Sequence, residues 1–200
     1  MQTEIEAKSL NVDHDALRAA LRELGATLAQ PMRLQRRYNL DFPDHRLQDV
    51  GGWVRIRDEG DKITMSYKQL LDRTLHGTKE VCLTVDSFEQ AQSFLDALGI
   101  VPSSYQETKR ESWRLGKLEI ELDQWPWTKP YVEIEGPDEA SLKDIFAKLG
   151  LDWSKAVFGS VEVVYRGEYD ITDEEFYTLG EMTFEKPLPQ LLASRKKAQS

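Results

Sequence analysis

Along much of this chain polar and apolar residues alternate one by one, the period of a β-strand with one face buried. Glu4-Ile5-Glu6-Ala7-Lys8 opens the pattern, with Glu4, Glu6 and Lys8 on one face and Ile5 and Ala7 on the other. Arg55 and Arg57 flank Ile56, Glu119 and Glu121 flank Ile120 with Asp123 beyond, and Glu133 and Glu135 flank Ile134. The runs that read as strands are 2–9, about 33–42, 52–58, 62–70, 78–85, 104–114, 117–124 and 130–136. Turn residues separate them, among them Gly51-Gly52, Glu59-Gly60-Asp61, Gly77 and Gly116.

Three stretches switch to the helical period. They run from Asp13 to Gly25, from Ser87 to Gly99 and from Asp138 to Gly150, each with a capping side chain at its start and a glycine just past its end. The tail adds a strand-like stretch at 161–169, a short helix capped by Thr172, and a basic final helix from about 187. That last helix is expected either to cover apolar surface or to close one end of a channel.

Eight short strands with few helices predict an α+β fold built on an antiparallel sheet large enough to curl or close. The apolar faces carry residues such as Val54, Ile56, Met65, Ile120, Val132 and Ile134, and the opposite faces are charged. On one strand such a face would simply be solvated. Repeated Glu-x-Glu on three strands is harder to explain that way, because like charges at neighbouring same-face positions repel. A closed barrel, polar inside and covered by helices outside, would gather these groups around one axis.

Composition narrows the chemistry. The 200 residues carry a formal net charge of -9 with no long block of one sign, which argues against nucleic acid as a partner. One domain spanning 1–200 is expected, since no Ser/Gly/Pro-rich linker divides the chain. A single cysteine, Cys82, excludes an internal disulfide and fits a reducing compartment. The charged N-terminus and the absence of a long apolar run predict a cytoplasmic chain without a signal peptide or membrane span.

Glu4, Glu6, Glu121 (or Glu119), Asp123, Glu133 and Glu135 offer the hard oxygen ligands that Mg²⁺ or Mn²⁺ takes. Lys8, Arg55, Arg57, Lys68 and Arg110 are strand-borne cations able to grip a polyphosphate. Carboxylate-held metal facing a cationic cradle is what phosphoryl transfer requires. No Walker-type glycine loop is present, so a P-loop mechanism is unsupported.

These residues resemble a known family. The opening Glu-x-Glu-x-Lys is similar to the signature of the CYTH superfamily, the triphosphate tunnel metalloenzymes, which includes class IV adenylate cyclases, thiamine triphosphatases and inorganic tripolyphosphatases. The likeness continues in order through Trp53-Val54-Arg55-Ile56-Arg57, Tyr67-Lys68, Lys79-Glu80, Lys109-Arg110, Leu122-Asp123-Gln124-Trp125-Pro126 and Val132-Glu133-Ile134-Glu135-Gly136. It covers about 2–150, leaving 151–200 as a C-terminal extension.

The resemblance implies an eight-stranded antiparallel tunnel. Lys8, Arg55, Arg57, Lys68 and Arg110 would bind the triphosphate, with Lys109 as the alternative to Arg110 because parity alone does not say which faces inward. Glu4, Glu6, Glu121, Asp123, Glu133 and Glu135 would hold one or two Mg²⁺ or Mn²⁺ ions or the attacking water. Glu80 would orient the cations, and Lys8, Arg57, Glu80 and Glu133 would carry the chemistry. Cys82 stands where the family commonly has a second acid on its fifth strand.

The leading expectation is metal-dependent hydrolysis of inorganic tripolyphosphate or an organic triphosphate. A class IV-type adenylate cyclase, making cyclic AMP and pyrophosphate from ATP, uses the same groups and is the alternative. A non-catalytic polyphosphate-binding module is the third. The expected partner is a small-molecule triphosphate, with neither nucleic acid nor membrane, and a homodimer is left open.

Overall fold

A computed structural model describes residues 1–198. The strands are β1 (Gln2–Thr3), β2 (Glu6–Leu10), β3 (Thr27–Asp41), β4 (Gly52–Asp58), β5 (Ile63–Leu70), β6 (Thr78–Val85), β7 (Val101–Leu115), β8 (Leu118–Gln124), β9 (Tyr131–Glu135) and β10 (Glu181–Met182). The helices are α1 (His14–Glu23), α2 (Phe88–Ala97), α3 (Glu139–Lys148), α4 (Glu162–Glu168), α5 (Asp173–Tyr177) and α6 (Gln190–Ser194). The chain is therefore α+β, as the alternating pattern predicts.

Nine strands follow one curled, antiparallel path in the order β1-β6-β5-β4-β3-β7-β8-β9-β2, and β10 adds a short parallel pairing on β7. The two ends of this path, β1 and β2, are consecutive pieces of the N-terminal segment. Gln2 and Thr3 pair with Glu80 and Lys79 of β6, whereas Glu6–Leu10 pairs with β9. The switch falls at Glu4–Ile5, where the Glu4 N–H donates to Thr78 and the Ile5 carbonyl accepts from Gly136. The predicted first strand, 2–9, is thus broken in two because its halves serve opposite edges.

Caps explain the three helices. Asp13, Ser87 and Asp138 each accept hydrogen bonds from first-turn N–H groups, and Gly25, Gly99 and Gly150 follow the helices at positive φ. α1 and α3 bury Leu17, Leu21, Leu142, Ile145 and Phe146 against the outer faces of β7, β8 and β9. α2 buries Phe88, Ala91 and Leu95 against Leu40 and Ile56. The helices thus cover the apolar faces of β4 and β7–β9 from outside, while Val81 and Leu83 of β6 stay exposed, and the charged faces are left on the concave side.

The structure corrects two readings of the tail and one of β3. Residues 161–169 are mostly the helix α4, although Val161, Val163, Val164 and Tyr165 favour strands. Tyr165 on the helix and Tyr169, the extended residue that caps its end, stack on each other and are buried in one cluster with Trp125 and Tyr131; that burial overrides local propensity. The final helix spans only Gln190–Ser194, so Arg195-Lys196-Lys197 follows it, and Leu192 is buried in the same cluster. Strand β3 begins six residues before the predicted 33, and its pairing with β7 shifts register on each side of Gln30, Pro31 lying within the second shift.

Candidate active site

Strand register sorts the concave face into two walls of opposite sign. On β8, β9 and β2, Glu119, Glu135 and Glu6 stand directly opposite one another, and the next row is Glu121, Glu133 and Lys8. Across from them β3 and β4 place Arg37 opposite Arg57 and Asn39 opposite Arg55. Lys68 on β5 faces Glu80 on β6. Arg110 on β7 joins the walls, opposite Arg33 on one side and Asp123 on the other. Between them lies a cavity of about 440 Å³, lined by all of these residues except Asp123.

Each of the family-type cations is held by acids. Lys8 Nζ is 2.7 Å from Glu6 and 3.0 Å from Glu133, and it donates to the Gly159 carbonyl at 2.7 Å. Lys68 pairs with Glu4 at 2.9 Å and Glu80 at 3.8 Å, and Arg55 with Glu80 at 3.1 Å. Arg110 forks onto Asp123 and reaches Glu133 at 3.1 Å. Asp123 is fully buried behind the cavity wall, where it fixes Arg110. Lys109, the other member of the Lys109-Arg110 pair, is exposed on the opposite face of β7, its ammonium 4.5 Å from the Phe184 ring. The pair is resolved in favour of Arg110, because successive strand side chains point opposite ways.

Electrostatics follow the walls. Burial would raise the Glu133 carboxyl, but Lys8 and Arg110 override it and hold it far below its usual range. Glu4 moves the other way: burial, with Glu80 and Glu6 adding to it, outweighs the pull of Lys68. Glu135 is pushed up to about 7 by burial and by Glu6, Glu133 and Glu119. Arg55 is lowered to about 10 by burial and the nearby Arg57. Most of these charges are thus paired across the cavity, while Glu135 has no cationic partner among the described residues and is held partly protonated by the acids and burial around it.

Among the described residues no three acid, histidine or cysteine side chains converge as a ready-made metal site. The donor set nonetheless fits a hard divalent cation. Glu6, Glu133 and Glu135 on the neighbouring strands β2 and β9 are all-oxygen donors, and Glu135, directly opposite Glu6, has no cationic partner among the described residues, a like-charge pairing that a cation would relieve.

Arg33, Arg37 and Glu59 also line the cavity and escape the sequence reading. Arg33, Gln35 and Arg37 alternate as Arg55 and Arg57 do, but the adjacent Arg36 blurs the parity. Glu59 reads as part of the turn Glu59-Gly60-Asp61. In the structure it accepts from Arg57 at 2.7 Å and from Thr64 at 2.9 Å. Burial would raise its pKa, yet Arg57 and these hydrogen bonds lower it from 4.5 to about 2. Its folded-state value lies below its unfolded one, so its contribution is present above about pH 4.5 and is lost as pH falls toward 2. Glu59→Gln should therefore cost on the order of 2 kcal/mol at pH 7, a gap that closes in acid. Urea unfolding of both proteins from pH 7 to pH 2 checks this, and a gap independent of pH would contradict it.

The final helix and the basic triplet after it do not line the cavity; Ser160 and Val161 are the tail residues that do. No described helix is long and apolar enough to cross a membrane.

Comparison with known proteins agrees with this architecture. The PH1012 protein of Pyrococcus horikoshii OT3 superposes with a TM-score of 0.64 at 20% identity, over 76% of this chain and 93% of that one. A candidate adenylate cyclase of Vibrio parahaemolyticus gives 0.70 at 16% identity, over 82% and 98%. HpAC1 of Hippeastrum, a candidate adenylyl cyclase with a stated dominant triphosphatase activity, gives 0.56 at 16% identity, over 90% and 97%. At these identities the likeness is one of fold. No curated protein matches the chain. The sequence model of the CYTH domain matches residues 2–157, more than three quarters of the chain. By its sequence, and in keeping with its fold, the chain belongs to the CYTH domain family.

Proposed function

We propose that this protein hydrolyses a triphosphate, inorganic or organic, with the help of Mg²⁺ or Mn²⁺, inside a tunnel formed by the curled sheet. The N-terminal segment, bonded to β6 through β1 and to β9 through β2, supports the closure of that tunnel. The observation that carries the reading is the division of the cavity into an acidic and a cationic wall. A pure anion binder gains nothing from the acidic wall, and a pure cation binder gains nothing from the arginines.

Lys8, Arg55, Arg57, Lys68 and Arg110 bind phosphoryl oxygens, the arginines as forks and the lysines as point charges. Glu80 positions Arg55 and Lys68, Glu59 positions Arg57, and Asp123 positions Arg110. Glu4, Glu6, Glu121, Glu133 and Glu135 are the residues that would hold the metal, which when bound supplies charge neutralisation and acidifies water. Glu133, ionised between Lys8 and Arg110, would orient the attacking water through its carboxylate oxygens. The new bond joins the water oxygen to the terminal phosphorus, the water's proton passes to solvent, the bridging P–O bond breaks, and the departing diphosphate carries the electron pair. The lining is mainly charged and polar, and the guanidinium of Arg37 occupies a face of Trp125. This suits a phosphoryl chain better than a base.

Incubation with tripolyphosphate, ATP and thiamine triphosphate in Mg²⁺ or Mn²⁺ tests the reading. Orthophosphate release without cyclic AMP is the expected outcome. Cyclic AMP with pyrophosphate would replace the hydrolase by a cyclase, and tight binding without turnover would replace it by a binding module.

A further inference from the structure

Arg37 is the outlier among the cations of the cavity. The other lysines and arginines of its lining, Arg33 included, have oxygen partners; Arg33 donates to the Glu59 and Arg110 carbonyls and to the Ser112 hydroxyl. Arg37 is only 5% exposed, yet its Nε and Nη2 have no hydrogen-bond partner, and no described acid pairs with it. Burying a guanidinium without a counter-charge is strongly unfavourable. Burial and the repulsion of Arg57, Arg55 and Arg110 accordingly push its pKa well down.

The surroundings show a group held ready. Its guanidinium carbon lies 4.7 Å from the Trp125 ring centroid. A cation–π contact fixes one face of the guanidinium and leaves its edge donors unused. The register sets Arg37 opposite Arg57 on one side and Gln106 on the other. One row away Gln35 faces Thr108, and both also carry buried polar atoms without partners.

We infer that Arg37 is a substrate-binding residue in addition to Lys8, Arg55, Arg57, Lys68 and Arg110, its free guanidinium edge taking oxygens of the phosphoryl chain beside Arg57. The inference rests on the triphosphate reading above. It also makes the unliganded cavity the less stable state, because the charge is compensated only when the anion is bound.

Two measurements test it. A tripolyphosphate analogue with P–N–P bridges is titrated by calorimetry in Mg²⁺ into the wild type, R37Q and R37K, and each unliganded protein is melted. R37Q should bind about 30- to 100-fold more weakly, as expected for a lost charge-assisted contact. R37K should recover part of the loss, and unliganded R37Q should melt at or above the wild-type temperature. R37Q affinity within threefold of wild type overturns the inference. An unliganded R37Q that melts well below wild type also overturns it, since that is the behaviour of a structural cation. If the wild type itself does not bind the analogue, the triphosphate reading falls with it; if the wild type binds and R37Q matches it, only the role of Arg37 falls.

Discussion

Arg57→Ala is expected to lower kcat/KM for tripolyphosphate by about two to three decades. Arg57 sits between the acidic Glu59, which it reaches at 2.7 Å, and the cavity that it lines. Glu59 accepts from its Nε and Nη2 and fixes its plane, so its remaining donors meet charge that grows on the phosphoryl oxygens in the transition state. A charge-assisted contact of this kind contributes about 2–4 kcal/mol, and each decade of rate corresponds to about 1.4 kcal/mol. Arg57→Lys retains the charge and loses the fork, so it should recover only part of the rate. Truncation also leaves the buried Glu59 carboxylate with only Lys62 at 3.7 Å and the Thr64 hydroxyl as partners, so thermal unfolding must accompany the kinetics. A folded Arg57→Ala protein with activity within threefold of wild type would place the chemistry elsewhere.

Excess chelator is expected to reduce turnover by at least about three decades, with recovery on adding Mg²⁺ or Mn²⁺. The reason lies in the acidic wall. Glu119, Glu135 and Glu6 face one another on neighbouring strands, and Glu135 is already pushed up to about 7 by burial and by the acids around it. Without a cation this wall would repel a polyanionic substrate that the opposite wall attracts. Glu133→Gln should keep the shape while weakening metal affinity, so raising the metal concentration should restore part of its lost rate. Full turnover in chelator would remove the acidic wall from the mechanism.

Much of the fold is legible in the sequence because its signals are local. The helices beginning after Asp13, Ser87 and Asp138 are marked by their own caps, and the strand faces by single-residue alternation. What escapes is decided by tertiary structure. The break at Glu4–Ile5 exists because one short segment serves two sheet edges, which nothing in Gln2–Leu10 announces. Helix α4 forms from β-favouring residues because Tyr165 and Tyr169 bury together. In the candidate site the isolated Arg-x-Arg and Glu-x-Glu pairs are readable, since only one parity makes sense. Lys109-Arg110 and Arg36-Arg37 put two cations side by side, and only the sheet decides which member turns inward. Glu59 hides in a turn because its partners, Arg57 and Thr64, meet only across the β4–β5 hairpin.

The central claim is that metal and polyphosphate occupy one cavity, on opposite walls. Crystals grown with Mn²⁺ and the P–N–P analogue of tripolyphosphate, with diffraction recorded at the manganese absorption edge, test it most directly. The account predicts an anomalous peak against the wall of Glu6, Glu133 and Glu135, with phosphoryl density between it and Arg55, Arg57 and Arg110. Manganese or analogue bound only outside this cavity would contradict it.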